Sequence, residues 1–224
     1  MSRGERYLGS RTPRIEDEKL LRGEGQFLDD IRVPLGTLYL GFVRSPYPSA
    51  LITGIDKSTA LALPGVVAVY DGNEIGTWVS DLRTPTGTDQ PDLVRPNAAR
   101  DRVRYAGEVV AVIVADSPYA AEDALELVNV DYEVTPHVVE IDEALAASAH
   151  RVHQDRSGNV VYRKIESNPD TDQAFAQAPH IFEDEFHSAR LAVVPMETRG
   201  FIAQFDRGAN TLNFWSPSQT PHKL

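Results

Sequence analysis

The sequence predicts an α+β chain in two parts, and three features carry that reading. Short apolar runs alternate with helical patterns between about residues 37 and 135. Within them "EVVAVIVAD" places valine or isoleucine at nearly every position, the mark of a strand buried on both faces. Directly after it, Ser117-Pro118 supplies an N-cap and a proline at the first helical position, and Ala121, Ala124, Leu125 and Val128 form one apolar stripe. From about residue 141 the texture becomes more polar, and a second part begins.

In chain order, "TLYLGFVRS" is rich in aromatic and branched residues and predicts a strand, as does "ALITGID". "KSTALAL" predicts a short helix closed by Pro64-Gly65, and "VVAVYD" returns to strand. Residues 80–102 carry Pro85, Pro91 and Pro96 and no clear period; a loop of that length is functional, disordered or an interface. The buried strand and the Ser117 helix follow, then "NVDYEV" as a strand and Pro136 as a break. In the second part "IDEALAA" and "DTDQAFAQA" predict helices around the turn-like "HRVHQDRSGN". "HIFEDEFHSAR" alternates roughly as a strand, and "RGFIAQFD" and "TLNFWS" predict two more strands around "RGAN". Thr220-Pro221 then opens a helix only four residues before Leu224, too few to hold a helical turn alone.

The composition is that of a globular chain: 224 residues, 42% hydrophobic and 25% charged. A net charge of -11 argues against a general nucleic-acid binder. Arg3, Arg6, Arg11 and Arg14 against Glu5 make the N-terminus a basic arm, read as a docking or mobile terminus ahead of an anion-binding one. The absence of cysteine excludes disulfides, thiolate nucleophiles and cysteine-ligated clusters on this chain. There is no secretory apolar run, and "VVAVIVAD" is far too short to span a bilayer, so the expected location is cytoplasmic.

Several polar residues are candidates for chemistry. Gly23-x-Gly25 lacks the third glycine of a dinucleotide fingerprint, since Leu28 stands there, and turn glycines account for it. His150 and His153 could share a helix face toward a metal, but the segment is turn-like and has no third ligand nearby. His137, His180 and His187 stand apart from any nucleophile motif, and Glu183, Asp184 and Glu185 read as a solvated face. In "VVPMETRGFIA", Glu197 and Arg199 lie between apolar segments, where a partly buried charge needs a partner. They could satisfy each other or a neighbouring loop. Gln219 in "SPSQTPH" stands at a strand-to-helix turn, and its neutral amide can donate and accept at once.

The chain resembles the amino-terminal part of the molybdenum-binding subunit of the molybdenum hydroxylases, the family of xanthine dehydrogenase, aldehyde oxidase and aerobic carbon monoxide dehydrogenase. The stretches that carry the resemblance are "RIEDEKLLRGEGQFLDDIRVPLGTLYLGFVRSPYPSALI", "LPGVVAVYDGNEI", "DRVRYAGEVVAVIVADSPYAAEDALELVNVDYE", "DQAFAQA", "PMETRG" and "SQTPH", in family order over nearly the whole chain. The resemblance implies an N-terminal arm over residues 1–19 and an a/b hammerhead domain over 20–135. Residues 146–224 would be the incomplete start of the first molybdopterin-binding α/β domain.

The resemblance also implies a function. Gln219 matches the family glutamine that hydrogen-bonds the apical oxo ligand of molybdenum, although Pro217-Ser218 precedes it here in place of the usual serine-threonine. Glu197 matches a recurrent carboxylate near the site, taken as cofactor support. The implied cofactor is a molybdenum–molybdopterin in its cytosine dinucleotide form, with iron–sulfur clusters and FAD on partner subunits. Hydroxylation of an aldehyde or N-heterocycle, or oxidation of carbon monoxide, would use water as the oxygen source. The family's glycine-rich segment and its base glutamate are expected beyond Leu224. This chain alone would then be a fragment or split subunit, inactive without the remaining molybdopterin-binding polypeptide, the iron–sulfur subunit and the flavin subunit. The alternative is a non-catalytic hammerhead module that assembles partner subunits. A histidine-based hydrolase has no motif behind it.

Overall fold

The computed structural model describes residues 13–85, 92–220 and 222. Arg3, Arg6 and Arg11 of the expected basic arm, and Pro221 of the expected helix start, lie outside the described residues. A short helix α1 (Asp17–Leu21) comes first, followed by a 3-10 turn at Leu28–Asp30 and strands β1 (Tyr39–Arg44) and β2 (Ala50–Asp56). Next are α2 (Ser58–Leu61), β3 (Val66–Asp71) and α3 (Gly72–Trp78). The short strands β4 (Leu82–Thr84), β5 (Leu93–Arg95) and β6 (Arg102–Val103) precede β7 (Val109–Ala115), α4 (Pro118–Leu125) and β8 (Asn129–Val134). The chain continues through α5 (Ile141–Leu145), α6 (Pro169–Gln177), β9 (Ile202–Asp206) and β10 (Thr211–Trp215).

Contacts divide the chain into two compact units, one formed by Leu35–Ile181 and the other by Met1–Pro34 with Phe182–Leu224. The Leu35–Ile181 unit holds the core. Its main sheet has the order β1-β7-β3, with β7 antiparallel to both neighbours. The "VVAVIVA" run is therefore the central strand, and Val110, Ala111, Ile113 and Ala115 are fully buried. Helix α4 closes one face of the sheet. Ser117 Oγ accepts from the Ala120 N–H at 3.2 Å, so the predicted cap forms, and Ala121 and Ala124 turn inward. The helix comes so near that a Cβ on Gly41 would meet the Ala121 carbonyl oxygen at 2.9 Å. A second sheet, β6-β2-β8, pairs the "ALITGID" and "NVDYEV" strands antiparallel.

Three differences from the sequence reading have physical causes. Helix α3 was not expected. Asp71 caps it, accepting from Asn73 and Glu74 N–H, while Glu74 Oε2 accepts from Asp71 N–H, a reciprocal box spanning the first turn. The segment 80–102 is not structureless among its described residues: β4 and β5 pair antiparallel, and β6 adds to β2. "HIFEDEFHSAR" forms no strand; it is exposed throughout and meets no ladder partner, so alternation alone gives it nothing to pair with.

Candidate functional site

The second unit is built around a hairpin. Strands β9 and β10 pair antiparallel from Thr211 opposite Asp206 to Trp215 opposite Ile202. The turn between them is set by Asp206, whose Oδ1 accepts from Gly208 N–H at 2.8 Å and Ala209 N–H at 3.1 Å. Asn210 takes the left-handed conformation at φ 51°, which its short amide side chain tolerates. At the other end of the ribbon Phe201 and Phe214 stack with ring centroids 5.7 Å apart.

Gln219 follows β10 in an exposed bend. Ser218 Oγ accepts from Thr220 N–H at 3.0 Å, so the turn on which Gln219 sits has its own local hydrogen bond. The Gln219 amide makes no hydrogen bond to any described residue. Both its donor and its acceptor are therefore uncommitted. That chemistry fits an oxo ligand on one side and a donor on the other.

Glu197 is placed differently. Its Oε1 accepts the backbone N–H of Leu28 at 3.0 Å, a residue 169 positions earlier in the chain. The carboxylate is thus taken up by the N-terminal segment. Arg199, the other charge of "PMETRG", is exposed and forms no ion pair among the described residues. Leu28 opens the 3-10 turn, which Asp30 fixes by accepting Phe27 N–H at 2.8 Å. Nothing local in either segment signals this pairing, and sequence reasoning, which noted Leu28 only as a missing glycine, did not find it as the partner of Glu197.

In the Leu35–Ile181 unit, His153 is half-buried, and burial lowers its pKa, aided by the nearby guanidinium of Arg104. The backbone carbonyl of His150 accepts from Asn159 Nδ2, which also donates to Ala144 O. Among the described residues no three or more His, Asp or Glu side chains gather as a metal site. Glu183, Asp184 and Glu185 are exposed.

Residues 22–136 match the family model for the aldehyde oxidase and xanthine dehydrogenase a/b hammerhead domain. The chain belongs to that family. Residues 152–224 match the molybdopterin cofactor-binding domain. The hammerhead match begins before Leu35, so the family boundary and the contact boundary divide the N-terminal segment differently. The nicotine 6-hydroxylase large subunit of Paenarthrobacter nicotinovorans is 38% identical over 96% of this chain and 26% of its own length. The carbon monoxide dehydrogenase large chain of Afipia carboxidovorans is 33% identical over 97% of this chain and 28% of its own. Among solved structures, quinoline 2-oxidoreductase from Pseudomonas putida 86 superposes with a TM-score of 0.82 at 34% identity, covering 93% of this chain and 26% of that one. The chain thus spans about a quarter of the length of these relatives. No described helix is long and apolar enough to cross a membrane.

Proposed function

We propose that this chain supplies the hammerhead domain and the opening of the first molybdopterin-binding domain to the large subunit of a molybdenum hydroxylase, and that the assembled enzyme hydroxylates a nitrogen heterocycle with oxygen from water. The observation that carries the site is the uncommitted Gln219 amide, presented on the turn after β10 inside the stretch that matches a molybdopterin-binding domain. Two of the relatives named above carry nicotine or quinoline in their names, which favours a heteroaromatic substrate over an aldehyde or carbon monoxide.

When bound, the molybdenum–molybdopterin group, in the cytosine dinucleotide form, supplies the redox chemistry. Gln219 is the residue of this chain that would hold it, by donating its amide N–H toward the oxo group. Glu197, the weaker candidate, would support it from a segment tied to the N-terminal turn through Leu28 N–H. Iron–sulfur and flavin groups sit on partner subunits, consistent with a chain that has no cysteine to ligate a cluster. The reacting base belongs to sequence outside this chain.

The test is to purify the assembled complex that contains this chain, measure molybdenum and pterin, and assay nicotine and quinoline in 18O-labelled water. One label per hydroxylated product, with stoichiometric molybdenum, is expected. A complex without molybdenum, or a product carrying unlabelled oxygen, overturns the proposal.

A further inference from the structure

Between Tyr162 and Gly200 every residue is exposed except one, and that one is a glutamate. Leu191, Val193, Val194 and Met196 lie open to solvent while Glu197 is screened. Hydrophobicity cannot set such an order, because burial favours the apolar neighbours by far. The order follows from a specific bond, Leu28 N–H to Glu197 Oε1 at 3.0 Å. A backbone donor to a carboxylate is a strong type of hydrogen bond, and here it joins segments that no local structure brings together.

The contact continues past the carboxylate. Gly200, in the same turn, has no side chain, and a Cβ there would stand 3.1 Å from Leu28 Cδ1, so the leucine occupies the space the glycine leaves. The Gly200 carbonyl accepts from Ser216 Oγ at 3.4 Å. Ser216 begins the Ser216-Pro217-Ser218-Gln219 run, and the Phe201–Phe214 stack joins the same two strand ends. Leu28, Glu197 and Ser216 are all partly screened from solvent in a unit whose surface is otherwise mostly open. An unbroken series of contacts therefore runs from the N-terminal turn through Glu197 and Gly200 to the residues that lead into Gln219.

We propose that Glu197 is a positioning residue, clamping the N-terminal turn at Leu28 onto the 197–200 segment so that the loop carrying Gln219 is held in one conformation. The clamp stands on the contacts above; only its consequence for the cofactor rests on the function proposed for Gln219. A glutamine at position 197 keeps an oxygen acceptor and preserves the clamp, whereas alanine abolishes it.

The experiment uses the full assembled complex and three variants, Glu197→Ala, Glu197→Gln and Gln219→Ala, followed by amide hydrogen exchange and the electron paramagnetic signal of molybdenum. Glu197→Ala should speed exchange at Leu28 and across residues 214–220 roughly tenfold, with Glu197→Gln close to wild type. It should also broaden the molybdenum signal. Gln219→Ala should alter that signal while leaving Leu28 protected. If Glu197→Ala leaves exchange across 214–220 unchanged, the clamp proposal is overturned. If instead Gln219→Ala leaves the molybdenum signal unchanged, the reading of Gln219 fails, and the clamp is still decided by exchange. Should Glu197→Ala not assemble, Leu28→Pro removes the donor from the other side, at a first-turn position where proline is tolerated, and is read by exchange across residues 214–220, where no change overturns the clamp.

Discussion

Gly72 and Ala98 face each other so closely that a Cβ on the glycine would stand 2.7 Å from the Ala98 carbonyl oxygen, and the Ala99 carbonyl is nearer still. Both obstacles are backbone, so neither can swing aside. Ala98 and Ala99 are themselves buried, with Ala99 N–H bonded to Val109 O at 2.7 Å beside the central strand. Gly72→Ala should therefore cost about 3 kcal/mol through overpacking. By thermal unfolding that corresponds to a loss of roughly 10 °C. Gly158→Ala is the control, since nothing lies within 4 Å of its Cβ position. Equal melting temperatures for the two variants would refute the close approach.

The start of α3 carries a pH-dependent contribution. Lys57 Nζ reaches Asp71 Oδ2 at 3.1 Å and Glu74 Oε2 at 2.6 Å, while Asp71 also caps the helix. Partial burial works against the Asp71 charge, but the hydrogen bonds from Glu74 N–H and Lys57 outweigh it and lower the pKa below 3.8. A carboxylate lowered on folding stabilises the fold above its unfolded value and loses that contribution as pH falls through the folded one. Asp71→Asn keeps a capping side chain but not the charge. Its deficit relative to wild type should be full at neutral pH and shrink below pH 3.8, in urea titrations at a series of pH values. Asp71→Ala should cost about 1 kcal/mol more, through the lost cap.

Glu108 behaves in the opposite sense. It is 5% exposed, and burial raises its pKa above 4.5 although Arg104 N–H donates to it at 2.5 Å and the Arg104 guanidinium stands 3.7 Å away. For a carboxyl raised on folding, stability is complete below the unfolded pKa and declines as pH rises through the folded value. Glu108→Gln keeps the acceptor for Arg104 N–H and has no proton to lose. The variant should gain on wild type as pH climbs above 4.5 and hold a constant lead at higher pH. A constant difference across the whole range would count against the buried-carboxyl account.

The parts of the fold that were legible in the sequence are those whose causes are local. The β7 run announces its burial in its own composition, and Ser117-Pro118 announces the start of α4. Asp71 and Glu74 were equally legible as a capping box, but the reading stopped at the strand that ends on Asp71, which is β3, and α3 went unseen. "HIFEDEFHSAR" shows the converse: alternation is a property of the segment, whereas a strand is a property of a pair. At the candidate site, the need of Glu197 for a partner could be read from its apolar flanks. Which partner could not, because Leu28 carries only a backbone N–H, and every residue but proline has one.

The bond between Leu28 and Glu197 also sets a schedule for synthesis. The donor leaves the ribosome 169 residues ahead of its acceptor. At about 5–20 residues per second, the N-terminal turn waits on the order of ten to thirty seconds before its docking partner exists. Late in that interval the Leu35–Ile181 core, by then nearly all made, can collapse on its own contacts, while the turn at Leu28–Asp30 stays undocked and open to chaperones and proteases. The earlier-made of the two segments is thus secured late, and a pause in translation between codons 28 and 197 lengthens its exposure directly.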